Sequence, residues 1–284
     1  MKLSIKVKPG SKVKLNKINP DDTFGITEAR AIERLDKITD ELGELQELLY
    51  AAGQNAVLII LQGMDSSGKD GTLKKVMDDV NPLGCRVESF KVPTSEELAH
   101  DFLWRVHKVT PPKGMITIFN RSHYEDVLVV RVHKLVSKRN WRARYRYINE
   151  FERLLADNNT IVLKFFLHIS NEEQQKRLEA RELETKKAWK LSAGDWRERQ
   201  LWDDYQKAYE DALTKCSTEK TPWYIIPANK KWFRNLAVGE AIVRALRPYR
   251  KKWEKSLSKL AETKLAELQT MRAKDKAATK IPEA

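Results

Sequence analysis

The residues best suited to chemistry stand in one short segment, GMDSSGKDGT at 63–72. Two glycines separated by four residues are followed at once by a lysine, which is most of the pattern of a phosphate-binding loop. The glycines let the backbone curl so that successive N–H groups point at an anion, and the lysine adds a mobile positive charge. The pattern predicts phosphate contacts from Gly63, Ser66, Ser67, Gly68, Lys69, Asp70, Gly71 and Thr72.

The same loop carries two acids. The residue after the lysine is usually Ser or Thr, whose hydroxyl binds magnesium, but here it is Asp70. Asp65 is the second acid. Carboxylates in a phosphate cradle repel the ligand unless a cation lies between them, so the loop predicts Mg²⁺ as a cofactor.

A phosphate loop needs a strand before it and a helix after it. Residues 56–61 form a short run rich in Val, Ile and Leu, which is typical of a strand buried on both faces. Four further apolar runs alternate with helical segments, at 86–92, 115–119, 160–169 and 223–226. This alternation predicts an α/β fold with a five-stranded parallel sheet flanked by helices. Ligands bind at the carboxyl ends of such strands, where Lys91, Asn120, Arg121, Ala228 and Asn229 stand.

A second group of polar residues follows the third predicted strand, in FNRSHYEDV at 119–127. Arg121 should lie beside the phosphate loop and could grip phosphate oxygens with two hydrogen bonds. Glu125 has two readings, since it stands at capping-box spacing from Ser122 and is also a candidate metal ligand. Asp126 either binds metal or lies exposed in the first helical turn, and His123 is expected to be a polar neighbour of the site.

The composition favours an anionic partner. The 284 residues carry a net charge of +13, with a pI near 9.5, which suits nucleic acid, an acidic membrane surface or a phosphate-rich substrate. The two cysteines lack metal-ligand spacing, no apolar run is long enough to cross a bilayer, and the amino terminus lacks a signal-peptide core. A cytoplasmic protein is therefore expected.

The chain divides by composition into three parts. Residues 1–24 form a basic N-terminal arm, and its first 20 residues hold six lysines and no acid. This arm is either solvated or reaches an anionic substrate. Residues 25–250 form the α/β domain that contains the phosphate-binding loop, with a charged helical segment at 171–215. Residues 251–284 form an amphipathic helix and tail, whose apolar face either folds back on the domain or packs on another subunit, and we expect a homo-oligomer.

Five motifs together resemble the family-2 polyphosphate kinases. They are GMDSSGKDGT at 63–72, FNRSHYEDVLVVRVH at 119–133, WKLS at 189–192, RQLWDDYQKAYEDAL at 199–213 and TPWYIIPA at 221–228. The resemblance covers about residues 25–250. It implies a P-loop kinase fold with a helical lid at 171–215. It also implies Mg²⁺-dependent transfer of a terminal phosphoryl group between inorganic polyphosphate and AMP, ADP or ATP. The form of the 119–133 motif resembles the branch that acts on both nucleoside mono- and diphosphates.

The resemblance also implies roles for individual residues. Lys69, Arg121 and Asp65 would be catalytic, with metal held by Asp65 and by Glu125. Many members of the family have an acid where this chain has Asn120, so no metal role is carried over to that position. Further phosphate contacts are expected from Lys91 and from three cations of the lid, Lys187, Lys190 and Arg199.

Two other functions compete with this one. An ATP-dependent nucleoside or nucleotide kinase would have the same fold and loop. A nucleic-acid-binding protein without catalysis would explain the charge. The chain lacks the RRM, zinc and helix-turn-helix signatures, and its basic residues gather around the phosphate motifs, so nucleic acid is not expected as a partner. A membrane is not expected as a partner either.

Overall fold

A computed structural model of the chain describes residues 3–183 and 193–278. The described strands are β1 (Ile5–Lys6), β2 (Ala56–Gln62), β3 (Cys85–Ser89), β4 (Ile116–Asn120), β5 (Thr160–His168) and β6 (Trp223–Pro227). They form one sheet with the order β1-β6-β5-β2-β4-β3. β2 to β6 are parallel, as predicted, and β1 is an additional sixth strand that is antiparallel to β6.

Helices connect and flank these strands. In chain order they are α1 (Glu28–Ala52), α2 (Lys69–Val76), α3 (Ser95–Leu98), α4 (Trp104–His107), α5 (Val129–Val132), α6 (Lys138–Asp157), α7 (Asn171–Leu183), α8 (Ala193–Arg199), α9 (Trp202–Lys215), α10 (Lys231–Leu246) and α11 (Arg250–Ala278). α10 packs against both α1 and α2, while α6 packs against β5. The connection from β2 to β3 and the connection from β4 to β5 run in opposite directions along the sheet, so the right-handed rule for crossovers predicts that α2 and α6 lie on opposite faces.

The central strand β2 is buried along its whole length, which explains its uniformly apolar sequence. Its neighbours are β4 and β5, and the register pairs Leu61 with both Asn120 and Phe165. The carboxyl ends of the three strands therefore meet at one edge. The phosphate loop after β2 lies beside the segment after β4, as the sequence predicts.

The expectation of a solvated N-terminal arm is wrong for its apolar residues. Leu3, Val7, Val13 and Leu15 belong to the hydrophobic core and are at most 8% exposed. Apolar residues alternate with polar ones here, mostly lysines, so one side of an extended chain packs on the domain while the other faces water. The high lysine content hides this alternation. The boundaries of the three predicted parts stay predictions.

The C-terminal helix α11 packs on the domain only at its start. Trp253 is fully buried and its indole N–H donates to Asn55 Oδ1 at 2.9 Å. Further along, the predicted apolar stripe is exposed, with Leu265 58% and Met271 62% accessible. No helix within the described ranges is long and apolar enough to cross a membrane.

Candidate active site

The phosphate loop, residues 63–69, joins β2 to α2 and contains two glycines that this geometry requires. A Cβ atom at Gly63 would lie 2.7 Å from Ser67 Oγ and 2.8 Å from a backbone oxygen of β5. At Gly68 the backbone is left-handed, with φ of 97°, and a Cβ atom would lie 1.8 Å from a guanidinium nitrogen of Arg234. A side chain at either position would therefore collide with the site.

Lys69 opens α2 and folds back onto the loop. Its Nζ donates to Gly63 O at 3.0 Å and to Met64 O at 3.4 Å, and the residue is 9% exposed. Burial, with a smaller contribution from the positive charge of Arg121, lowers the pKa of Lys69 to about 8 against the opposing effect of nearby carboxylates. A phosphate bound in the loop would favour the charged amine, so Lys69 is placed to bind one.

The loop also contains two buried hydroxyls. The Oγ atoms of Ser66 and Ser67 have no hydrogen-bond partner in the described part of the chain. Thr72 Oγ1, in contrast, donates to Gly68 O at 3.1 Å within the first turn of α2. A bound phosphate would give the two serine hydroxyls an acceptor, whereas Thr72 already stabilises the helix.

Arg121 follows β4 directly and lies beside the loop. Its backbone is left-handed, with φ of 63°, which is uncommon for a residue with a side chain. The guanidinium donates to Asp65 Oδ1 at 2.5 Å and to Glu125 Oε2 at 3.5 Å. Burial disfavours its charge, but the two carboxylates outweigh this and raise the pKa of Arg121 above its ordinary value. The structure thus brings together Lys69, Arg121, Asp65 and Glu125.

The turn after Arg121 bears on the capping-box reading of Glu125. Residues His123–Asp126 form a 3-10 turn, and Ser122 caps it by accepting a hydrogen bond from Tyr124 N at 3.1 Å. The Glu125 carboxylate contacts Arg121 and not the capping residue. Glu125 therefore belongs to the charged cluster.

Asp126 is not the exposed acid that the sequence suggests. It is 7% exposed, because Arg144 of α6 packs over it and donates to its Oδ1 at 2.7 Å. Burial raises the pKa of Asp126, while Arg144 and Arg105 oppose that rise. The Asp126 carboxylate is therefore held in ion pairs with these two arginines.

Asp65 and Glu125 are the residues that could hold a metal ion. Both carboxylates already converge on one cationic group, the Arg121 guanidinium. The described residues contain no group of three or more His, Cys, Asp or Glu that could hold a metal. Mg²⁺ is commonly held by one or two carboxylates together with substrate phosphates, so these acids fit a site that the substrate completes. Asp70 accepts a hydrogen bond from Asn120 Nδ2 at 2.9 Å.

Two cavities meet at this cluster. One of about 390 Å³ is lined by the phosphate loop and by the residues that follow β3 and β4. The other, of about 500 Å³, extends from the loop towards α5 and α9. Five residues line both, namely Asp65, Phe90, Lys91, Arg121 and Asp195. A third cavity of about 820 Å³, between α6 and residues 215–220, includes none of the predicted site residues.

The 500 Å³ cavity has an apolar wall and a polar end. The wall includes Phe90, Val92, Pro93, Val129, Val130 and Leu135. At the polar end, the Tyr205 hydroxyl donates to Glu198 Oε2 at 2.6 Å, and His133 Nε2 lies 3.0 Å from the same oxygen. Sequence reasoning did not select these three residues, although His133 and Tyr205 fall within two of the quoted motifs.

The predicted lid cations have different outcomes. Lys187 and Lys190 lie outside the described residues. Arg199 donates to Asn171 O at 2.8 Å and to Gln174 Oε1 at 3.1 Å, so it binds the start of α7 and lines neither of the two joined cavities. Its phosphate contact stays a prediction. Lys91 lines both cavities, and its phosphate contact also stays a prediction.

A buried polar network supports the turn that carries Arg121. Glu152 of α6 accepts hydrogen bonds from Tyr124 Oη at 2.8 Å and from Lys164 Nζ at 2.5 Å. His123 Nε2 lies 3.3 Å from the same carboxylate and is fully buried. Burial disfavours the charged form of Glu152, but Lys164 and His123 outweigh it and keep its pKa low. His123 is thus part of the support of the site, as the sequence suggested.

Comparisons with known proteins all identify the same family. The sequence model of the family "Polyphosphate kinase 2 (PPK2)" matches residues 26–255. A relative from Meiothermus ruber, named AMP/ADP-polyphosphate phosphotransferase, is 54% identical over 85% of this chain and 91% of its own length. A relative from Rhodopseudomonas palustris, named ADP-polyphosphate phosphotransferase, is 44% identical over 85% and 88% of the two chains.

A solved structure agrees with these sequences. The crystal structure of polyphosphate kinase 2 from Arthrobacter aurescens superposes with a TM-score of 0.83 at 42% sequence identity. The match covers 86% of this chain and 88% of that one.

Proposed function

The chain belongs to the polyphosphate kinase 2 family, and we propose that it transfers the terminal phosphoryl group of inorganic polyphosphate to AMP and to ADP, reversibly and with Mg²⁺. The observation that carries the assignment to this site is the meeting of two cavities at Asp65 and Arg121. Phosphoryl transfer requires a donor and an acceptor to be aligned at one point, beside groups that neutralise negative charge. Arg121 supplies positive charge where the cavities join, and Lys69 supplies it in the adjoining phosphate loop.

We assign the two substrates to the two cavities by their linings. The 390 Å³ cavity contains the phosphate loop and Lys91, which suits a chain of phosphates without apolar parts. The 500 Å³ cavity combines an apolar wall with the polar group formed by His133, Glu198 and Tyr205, which suits a base and a ribose. In this assignment the terminal phosphate of the nucleotide faces Arg121.

The mechanism follows from the positions of the chain's own residues. The loop N–H groups and Lys69 orient the donor phosphates, and Arg121 exchanges its carboxylate partners for oxygens of the transferring group. Asp65 and Glu125 would hold Mg²⁺, which supplies neutralisation of phosphate charge when it is bound. We propose direct in-line transfer without a phosphoenzyme. Complete burial of His123 against Glu152 supports this, because a buried imidazole is not accessible to polyphosphate.

The proposal extends to the setting of the enzyme. Two free thiols and nucleotide substrates fit a cytoplasmic location. The exposed apolar stripe on α11 fits contact with a second copy of the chain in a homo-oligomer.

One experiment separates this function from its rivals. The purified protein is incubated with Mg²⁺, polyphosphate and either AMP or ADP, and the formation of ADP and ATP is measured. The Asp65→Asn variant serves as the control for contaminating kinases. Product formed only when ATP replaces polyphosphate would establish a conventional nucleotide kinase instead. Binding of RNA or DNA without any turnover would establish the nucleic-acid-binding alternative.

A further inference from the structure

Arg234 is a buried cation directly behind the phosphate loop. It belongs to α10, is 3% exposed, and donates to Ser67 O at 3.3 Å. Its other hydrogen bonds go to the side-chain oxygen of its neighbour Asn235, at 3.2 and 2.9 Å. Cβ atoms built at Gly68 and Gly71 would lie 1.8 Å and 3.3 Å from its guanidinium nitrogens. The positive charge therefore touches the loop backbone on the side away from the cavity lining.

Within the described part of the chain, no carboxylate neutralises this charge. Among the described residues, no Asp or Glu oxygen forms an ion pair with Arg234, and its polar partners are a carbonyl and an amide. A second cation, Arg177 of α7, donates to Ser66 O and Ser67 O, both at 3.0 Å. Burial, with a smaller contribution from the positive charge of Arg177, lowers the pKa of Arg234 to about 10. A buried cation without a counter-ion destabilises a protein strongly.

A hydrogen-bonding role alone does not account for this arrangement. The one loop atom that Arg234 contacts, Ser67 O, also accepts a hydrogen bond from Arg177 at 3.0 Å. The loop carbonyl would remain satisfied with a neutral residue at position 234. What a neutral residue cannot replace is a fixed positive charge behind N–H groups that face an anion.

We propose that Arg234 is a positioning residue for the phosphate donor, a fixed charge behind the loop whose counter-ion is the bound polyphosphate. The inference rests on the proposed function for the identity of that anion. It predicts that removing the charge changes the stability of the free protein and the affinity for polyphosphate in opposite directions. The free protein keeps or gains stability, because an uncompensated buried charge is lost, while binding of the polyanion weakens.

The test uses the variant Arg234→Met. Thermal unfolding of the full-length protein is measured with and without tripolyphosphate and Mg²⁺, in the absence of nucleotide. We expect an unliganded Tm equal to or above that of the wild type, together with a smaller upward shift on adding tripolyphosphate. In turnover assays the KM for polyphosphate should rise about tenfold with a smaller change in kcat. Arg234→Lys should keep most of the wild-type Tm shift with tripolyphosphate and a KM close to that of the wild type.

Arg244→Met is the matched control. It removes a positive charge from the same helix, but Arg244 is paired with Glu240 at 2.9 Å and lies about 15 Å along the helix axis from Arg234. This variant should keep the wild-type tripolyphosphate shift and the wild-type KM.

Two results would overturn the proposal. One is an Arg234→Met protein with a lower unliganded Tm and an unchanged tripolyphosphate shift, which is the signature of a purely structural residue. If Arg234→Met does not fold, Arg234→Gln replaces it, because glutamine keeps a hydrogen-bond donor without the charge. The second refuting result is an Arg234→Gln protein whose Tm rises on adding tripolyphosphate as much as that of the wild type. The tripolyphosphate measurement needs no turnover, so it tests Arg234 even if the wild type makes no ADP or ATP and the proposed function fails.

Discussion

Protonation of Lys69 should control both activity and stability in the alkaline range. The structure lowers its pKa from the ordinary 10.5 to about 8, chiefly by burial. A difference of 2.5 units corresponds to about 3 kcal/mol at 1.36 kcal/mol per unit. With the side chain 9% exposed, solvent screens little of this effect.

The sign of the stability effect follows from proton binding. Between pH 8 and pH 10.5 the unfolded chain keeps the Lys69 proton while the folded chain loses it. The unfolded state then binds more protons, so the free energy of unfolding rises with pH across this window by about 3 kcal/mol. The Lys69→Met variant lacks this contribution. Below pH 8 the variant should be more stable than the wild type, by less than 3 kcal/mol because two loop carbonyls lose a donor.

Activity should change in the opposite direction. The charged amine binds phosphate, so kcat/KM for polyphosphate should fall about tenfold per pH unit above about 8. Bound polyphosphate favours the charged form, so kcat itself should fall only at higher pH. Lys69→Arg keeps its charge and should show no such fall. Lys69→Met should lose about 10²-fold or more in kcat.

The assay is urea unfolding at several pH values, followed by tryptophan fluorescence, together with kcat/KM profiles over the same range. Lys75→Met is the matched control, because Lys75 lies in the same helix with a side chain that is 59% exposed. The reasoning is refuted if Lys69→Met and the wild type gain stability with pH in parallel. It is also refuted if the kcat/KM profile of the wild type stays flat up to pH 10.

Three further substitutions test the charged cluster and its support. Asp65→Asn should lower kcat about 10²-fold and raise the Mg²⁺ concentration needed for half activity, and an unchanged Mg²⁺ titration would exclude Asp65 as a ligand. Arg121→Lys keeps the charge but loses two-point binding, so kcat should fall about 10²-fold, whereas wild-type turnover would remove Arg121 from the mechanism. Glu152→Gln leaves the Lys164 charge buried without a carboxylate and should lower the free energy of unfolding in urea by about 3–5 kcal/mol, while a double change to Met at both positions should recover most of that loss.

The sequence was sufficient for the parts of the molecule that depend on local pattern. All five predicted strands are found, because each is a short apolar run between turns. Four of them agree with their expected bounds to within one residue, whereas the strand predicted at 86–92 ends three residues earlier, at Ser89. The position of Arg121 beside the loop also followed, since adjacent parallel strands end at the same edge. The glycines and Lys69 form the loop that their spacing predicts.

Other features depend on packing between distant segments, and no local pattern reveals them. The pairing of Arg121 with Asp65 brings together residues 56 positions apart. The polar end of the 500 Å³ cavity joins His133 to Glu198 across 65 positions. Arg234 reads as an ordinary polar residue of an amphipathic helix, and only the close approach of Gly68 shows that it lies under the loop. The burial of the N-terminal segment was not predicted, because its composition is dominated by lysines and its apolar residues stand singly between polar ones.

That N-terminal segment has a consequence for handling the protein in solution. β1 covers the edge of β6, and Val7 N extends the pairing by donating to Trp223 O at 2.9 Å. Without these residues, β6 would present unpaired backbone groups at a strand whose sequence, WYIIP, is strongly apolar. Open edges of this kind add strands from other molecules and seed aggregates. Shortening or tagging this end should therefore increase aggregation, because the segment covers the edge strand β6 and prevents pairing with other molecules.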